Sequence, residues 1–507
     1  MGKQQGTEGA WAKIKRLYLG HDKLSKRNLR NLIAFALGGI GYTFFEEIVT
    51  TYLQFYYTEF LLVSAASVSV ILSIGMLIDG GSDILMGIII DHFQTKQGRI
   101  KHWYLWAVIP TSLAVVAIFF CPQSFSNTAK LVWLFIVYNL YCTFLTALRM
   151  AKTTSISLCF NDTEARQQAN VVSGFIGQIS QTLLTAGIPL LLVALGSTAA
   201  AYTQTSIISV GAGILLILAA WYFTKEVVGS KAALKNVRET EGEEAAQVID
   251  AIMKSEGEQP NGKQKDRNVI KDFIMLFSNK YWIINMLAAL ANGVGIGFMF
   301  GVATYFAKYV LGDMALLSGI YGTMSIGMMA GIFIAAPTIV KLDSRMVGVL
   351  GSFIGAAGMG ISAISILVLH NVTLFYAGLF IRQIGTGFVI AIANDMTARV
   401  IDYGEWRFGY RIDGLAFSGS SVMQKIMSAA ATAILGIVLT AVGYQGGSDI
   451  IPASAVSAIQ HMFLTIPGIA LLASGCFYIM LNLSNKRVIE MREDIATRAK
   501  EKVNAMK

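Results

Sequence analysis

Apolar stretches long enough to cross a bilayer recur along almost the whole chain, and this limits the fold more than any other feature. In hydrocarbon a backbone must satisfy its own N–H and C=O groups, so each stretch reads as a helix. They fall near 31–58, 66–92, 103–121, 129–155, 167–196, 203–224, 281–310, 317–340, 344–370, 374–400, 412–443 and 458–482, twelve candidates in two sets of six. Charged residues make up 14% of the chain, where a soluble domain carries about 25%. The deficit runs along most of the chain, so the bilayer takes the place of water as solvent. Forty-nine glycines and only seven prolines suit long helices packed at small residues.

The chain divides into an N-terminal segment 1–30, a bundle 31–224, a linker 225–280, a second bundle 281–482 and a tail 483–507. The linker is rich in charge, with Glu239, Glu241, Glu243, Glu244, Lys263, Lys265, Asp266 and Arg267, and a short amphipathic helix is expected at 244–254. Basic residues collect in the N-terminal segment, after span two (Lys96, Arg99, Lys101), after span ten (Arg399, Arg407, Arg411) and in the tail. The opposite side holds little beyond Lys130 and Lys308. The bias toward basic cytoplasmic connections then puts both termini in the cytoplasm, here of a bacterial inner membrane. The net charge of +9 is a topology signal, since no basic soluble domain of a nucleic-acid binder is visible. The N-terminal segment is polar and does not read as a cleavable leader.

The expected fold class is an all-α membrane protein with twelve transmembrane helices in two six-helix bundles, the layout of the major facilitator fold, where substrate binds between halves near the midplane. Cys121, Cys142, Cys159 and Cys476 lack metal-ligand spacing and read as reduced packing thiols. The five histidines do not cluster, and no nucleophile–base set is apparent, so an enzyme is not expected, nor any cofactor.

Ionisable groups inside spans cost about 2.5–3.5 kcal/mol each at a helix centre and therefore point to function. They are Glu46 and Glu47 in span one, Asp79 and Asp83 in span two, Arg149 in span four, Arg382 and Asp395 in span ten, and Asp413 and Lys425 in span eleven. Asp79 and Asp83, spaced i, i+4, share a helix face about 6 Å apart. Two such carboxylates need a shared proton, a bound cation or a counter-charge. Oxygen ligands suit a hard cation, so Na+ or H+ is the expected coupling ion, with Li+ possible. The alternative is a structural salt bridge to Arg149 or Lys425. Arg149 carries a fork suited to carboxylate, sulfonate or phosphate; it could equally serve only to neutralise the aspartates. Glu46 and Glu47 point about 100° apart; either could be a substrate or proton site, or a polar contact between helices. Arg382 could line the cavity, whereas Asp395 suits a structural ion pair. Tyr138 and Tyr141 are placed for stacking, and Tyr52, Phe55, Tyr56 and Tyr57 read as an interfacial aromatic belt.

Two stretches are more specific: AspGlyGlySerAsp at 79–83, followed by Met86, Gly87, Asp91 and ThrLysGlnGlyArg at 95–99, and AspTyrGlyGluTrpArg at 402–407, followed by Gly409 and Arg411. With TyrTyrThrGlu at 56–59, they resemble the signatures of the glycoside–pentoside–hexuronide:cation symporter family over roughly 28–490. The resemblance implies cation-coupled uptake of a sugar or glycoside. It puts Asp79 and Asp83 on the family's cation-site carboxylates, Thr146 on a supporting hydroxyl, and Lys425 on a lysine near both ligand sites. Thr43 and Arg149 stand where the family's best-known member has sugar-binding acids, Gly174 near a sugar-contact arginine, and Ile84 and His102 at prolines. The cavity is thereby less negative, which favours an anionic solute such as a uronide or sulfonated sugar. Thr43, Glu47, Tyr141, Arg149, Arg382, Ser421 and Lys425 form the expected substrate set, and Arg99, Asp402, Glu405 and Arg407 the expected cytoplasmic gate. The remaining expected partners are membrane lipids; nucleic acid is not one. A lysolipid-like or other organic anion is the alternative solute, and a receptor or scaffold without transport is a further rival.

Overall fold

The computed structural model describes residues 26–92, 95, 98, 100–160, 163–226, 276–409, 413–447 and 451–505. The expected helix at 244–254, together with Arg99 and Arg411, lies outside them. The first six helices are α1 Lys26–Glu59, α2 Ala65–His92, α3 Lys101–Phe119, α4 Asn127–Cys159, α5 Thr163–Ala194 and α6 Ala199–Phe223. The second set is α7 Lys280–Tyr309, α8 Leu316–Leu342, α9 Ser344–Ile364, α10 Val372–Phe408, α11 Asp413–Ala441, α12 Ala453–Gln460 and α13 Ile466–Met480. A π-helical turn, His461–Thr465, fuses α12 and α13 into one span, and α14, Asn485–Ala505, follows. Eleven described helices are long and apolar enough to cross a membrane; within α11 the shorter apolar helix Lys425–Ala441 occupies the twelfth place.

Local signals set the ends. Ser126 accepts the amide of Ala129 at the start of α4. Asn279 accepts those of Tyr281 and Trp282 at the start of α7, as an N-cap does. The Asp402–Arg407 motif, expected as a loop, forms the last turns of α10. One glycine inside it does not break a helix, and the chain stops only at Gly409, with φ 83°. Close approach of helices relies on small residues: a Cβ on Gly385 of α10 would lie 2.3 Å from the Gly351 carbonyl of α9.

The halves are sealed at the end bearing the 60–64, 310–315 and 442–452 connections. There Glu59 of α1 is buried. Lys308 Nζ (2.6 Å), the Tyr309 hydroxyl (2.5 Å), the Tyr444 hydroxyl and the Gly447 amide (3.2 Å) all donate to it from the other half. Thr58 and Tyr305 share a hydrogen bond of 2.8 Å. The packing leaves no room for a side chain at Gly446, where a Cβ would meet the Thr58 carbonyl at 1.8 Å. The aromatic-belt expectation is corrected here. Tyr52, Phe55, Tyr56 and Tyr57 are all buried. Tyr56 and Tyr57 donate to the carbonyls of Phe119 and Ile118, and Phe55 packs edge-on against Tyr305 across the halves. Their rings fill the seal rather than meet the headgroups.

At the opposite end Arg399 joins α10 to the tail. It donates to Asp395 (2.7 Å), Asp343 (2.8 Å), Ser344 (3.2 Å), the Leu483 carbonyl (3.0 Å) and Asn485 (2.6 Å). Asp395 thus forms the structural pair expected of it. Arg399→Ala leaves Asp343 without this partner in a largely buried place. The expected loss is about 3 kcal/mol of stability, read as a lower thermal midpoint in detergent. An unchanged midpoint refutes the role of Arg399 as the join.

Candidate functional site

Asp79 and Asp83 stand one turn apart on α2 and face α4 and α11. The Thr146 hydroxyl of α4 donates to Asp79 Oδ1 at 2.6 Å. Arg149, one turn along α4, places Nη2 at 2.5 Å from Asp83 Oδ1 and 3.3 Å from Asp79 Oδ2, with Thr146 Oγ1 at 3.1 Å. Lys425 comes from the other half: its Nζ lies 3.0 Å from Asp79 Oδ2 and also donates to Asp83 Oδ2. Two carboxylates therefore meet two cations, one from each half. The four side chains remain 17–30% exposed, so they border space rather than packed core. The counter-charge alternative is realised by both candidate residues at once. Among the described residues no group of three or more His, Cys, Asp or Glu could hold a metal ion. A hard cation at the pair needs further oxygens, and Thr146 Oγ1 is at hand.

Beside this cluster, Tyr42 donates to Glu46 at 2.8 Å, and Lys152 lies 5.9 Å from the Tyr42 ring centroid. Thr43 turns back to the Gly39 carbonyl at 2.9 Å. Tyr141 is buried, reaches the Phe45 carbonyl at 3.5 Å and stacks on Tyr138 at 6.0 Å. A Cβ on Gly174 would meet nothing within 4 Å, so α5 leaves open space there. Glu47 is buried apart from the cations. Thr185 of α5 and Thr51 donate to its Oε1 at 2.9 and 3.2 Å.

Arg382 departs from the expectation of a cavity-lining residue. It is fully buried in the C-terminal half, packed where Gly355 and Gly358 of α9 admit its backbone, and Nη1 donates to Gln383. Its Nε and Nη2 find no hydrogen-bond partner among the described residues. The close helix packing that seats Arg382 is a tertiary fact that its position in span ten did not reveal. Ser421 and Asp413 lie on α11, and their side chains fall outside the described residues. Of the expected gate, Asp402 accepts from Arg492 of α14 at 2.6 Å, and Arg407 donates to the Tyr403 hydroxyl at 3.0 Å. Glu405 is half-buried at the end of α10. Sequence reasoning passed over Glu59, Tyr42 and Thr185. Glu59 was visible within TyrTyrThrGlu but carried no assigned role. The other two are single polar residues in apolar stretches, for which only the fold supplies a partner.

Twelve membrane helices in two bundles, with a charged cluster shared between the halves, define a carrier of the major facilitator class. The chain belongs to the MFS/sugar transport protein family, the glycoside–pentoside–hexuronide:cation symporters, which it matches over residues 34–260 and 245–485. Membership makes it a transporter and not an enzyme. It is 26% identical to the isoprimeverose transporter of Lactiplantibacillus pentosus, over 83% of this chain and 82% of that one. It is 24% identical to a putative glycoside/cation symporter of Escherichia coli strain K12, covering 91% and 92%. A putative sulfoquinovose importer of Salmonella typhimurium is 23% identical, covering 95% of each. Among solved structures, the inward open xylose transporter of Escherichia coli superposes with TM-score 0.64 at 12% identity, covering 92% of this chain and 99% of that one. That likeness concerns the fold.

Proposed function

We propose that this symporter imports an anionic sugar derivative, a uronide or a sulfonated sugar, coupled to a small cation held at Asp79 and Asp83. The observation that carries the reading is the reach of Arg149 to both aspartates while Lys425 reaches the same pair from the other half. Two negative and two positive charges cancel. A cation entering the pair leaves one positive charge in excess. An anionic solute bound between the halves offsets that charge and draws Arg149 or Lys425 toward itself. Each ligand therefore raises the affinity of the other, as linkage requires. The aspartates serve as cation ligands and Thr146 as a supporting oxygen. Thr43, Tyr141 and Ser421 belong to the solute side, with Arg382 behind it.

The two bundles rock about this site. With Glu59 holding the outer end, the described conformation is the one closed to the outside, given cytoplasmic termini in a bacterial inner membrane. Asp402, Glu405 and Arg407 act at the inner end. The relatives named as putative sulfoquinovose importers support the anionic class.

Thermal unfolding of the purified protein with glucuronate or sulfoquinovose, in sodium and in choline chloride and at two pH values, tests the reading. The expected result is a higher midpoint with an acid only when the coupling cation is present. A shift produced by neutral pentosides and not by any acid removes the anionic class.

A further inference from the structure

We propose that Glu47 is a proton-binding site, separate from the aspartate pair, whose loading is required for the outer seal to close. Glu47 is buried on α1, and its described partners are neutral: the Thr185 and Thr51 hydroxyls donate to one carboxylate oxygen, and the Gln181 side chain also hydrogen-bonds to the carboxylate. No lysine, arginine or histidine pairs with it among the described residues. Neutral donors without a counter-charge do not repay the desolvation of a carboxylate, which a dry site admits as the neutral acid.

The second observation is three buried hydroxyls around it, Tyr52 on α1, Thr304 on α7 and Tyr321 on α8; Tyr52 finds no hydrogen-bond partner among the described residues, and Tyr321 has the hydroxyls of Thr304 and Thr51 within reach. The last two belong to the opposite half. The titratable groups facing Glu47 are Glu46 and Tyr52 of its own helix and Tyr321 of α8; α5 presents Gln181 and Thr185. Tyr202 of α6 stands behind Tyr52, with ring centroids 5.9 Å apart.

Glu47 lies where the halves meet. Ser318 of α8 donates to the Ala186 carbonyl of α5 at 2.7 Å, and a Cβ on Gly322 would touch Ala186 at 3.9 Å. Parting the halves on the outer side removes Thr304 and Tyr321 from Glu47 and admits water to these hydroxyls. In that state the carboxylate is solvated and exchanges a proton with the outside. Closing over it expels the water, and only the protonated form is then admitted cheaply. Protonation and outer closure thus favour each other, so rising pH opens the outer side. The inference rests on the alternating-access reading but on no substrate and on no ion at Asp79.

The test is electron–electron distance spectroscopy on the full-length protein in lipid nanodiscs without solute. Spin labels go at Ser124→Cys and Gln445→Cys, on exposed outer connections of the two halves, in a Cys476→Ser background. The long-distance, outer-open fraction is expected to rise with pH in the parent. Glu47→Gln is expected to lose that rise and stay closed, while Glu46→Gln retains it. A Glu47→Gln protein that titrates like the parent, or a parent insensitive to pH, overturns the proposal. Infrared difference spectra of the parent supply a second readout that does not depend on the variant folding. They must show a protonated carboxyl in the closed state that ionises as the outer side opens, and its absence also overturns the proposal. Failure of the anionic-solute reading appears instead in the thermal-unfolding screen.

Discussion

Arg149→Gln is expected to abolish accumulation of an anionic sugar while tightening binding of the coupling cation by roughly tenfold or more. In the parent, Arg149 Nη2 sits 2.5 Å from Asp83 and 3.3 Å from Asp79, where an incoming cation must compete with it. Glutamine keeps a donor near Thr146 but removes the charge. The cluster then holds two carboxylates against Lys425 alone and carries a net negative charge. A cation is attracted and an anion repelled, so the two ligands move in opposite directions. Calorimetric titration with sodium, and with protons followed by pH indicator, reads the first effect. Uptake of glucuronate or sulfoquinovose into membrane vesicles reads the second. A variant that still accumulates the acid removes Arg149 from the solute site.

Asp79→Asn should be the more severe change. Asp79 accepts from Thr146, Arg149 and Lys425, so three groups from α4 and α11 are oriented through one carboxylate. The amide keeps the shape and withdraws the charge, leaving two cations facing Asp83. A further cation has no reason to enter. Cation-driven accumulation is expected to fall about a hundredfold, equivalent to roughly 2.7 kcal/mol, with the protein still folded because Lys425 and Arg149 retain Asp83. Accumulation that still follows a sodium or proton gradient in Asp79→Asn vesicles sinks the assignment of the pair.

The helices were legible because hydrocarbon forces each apolar stretch to satisfy its own backbone, so the placement of spans follows from where the apolar runs lie in the sequence. The charged cluster was legible for the same reason: Asp79, Asp83, Arg149 and Lys425 are expensive where they stand, and expense marks them. What the chain did not reveal was the partner of each group. The aromatics at 52–57 lie near a span end, which suggests headgroups. Only the meeting of α1 with α7 shows that they are packing. Arg382 is costly too, yet its surroundings depend on how closely α9 and α10 approach. The end of α10 was misplaced because the charged motif at 402–407 looks like a loop, although nothing in it stops a helix before Gly409.

Glu59 contributes one carboxylate on behalf of the N-terminal half, and four donors from the C-terminal half converge on it. Those donors are not independent bolts: they share the two oxygens of one carboxylate, so loosening one shifts the rest. Parting the halves at that end is therefore a concerted break of all four. For a carrier that must never offer a continuous path, such abruptness is a safeguard against leak. It also rests the charged part of that safeguard on one carboxylate, since no second acid stands beside Glu59 in the connection that follows it, residues 60–64.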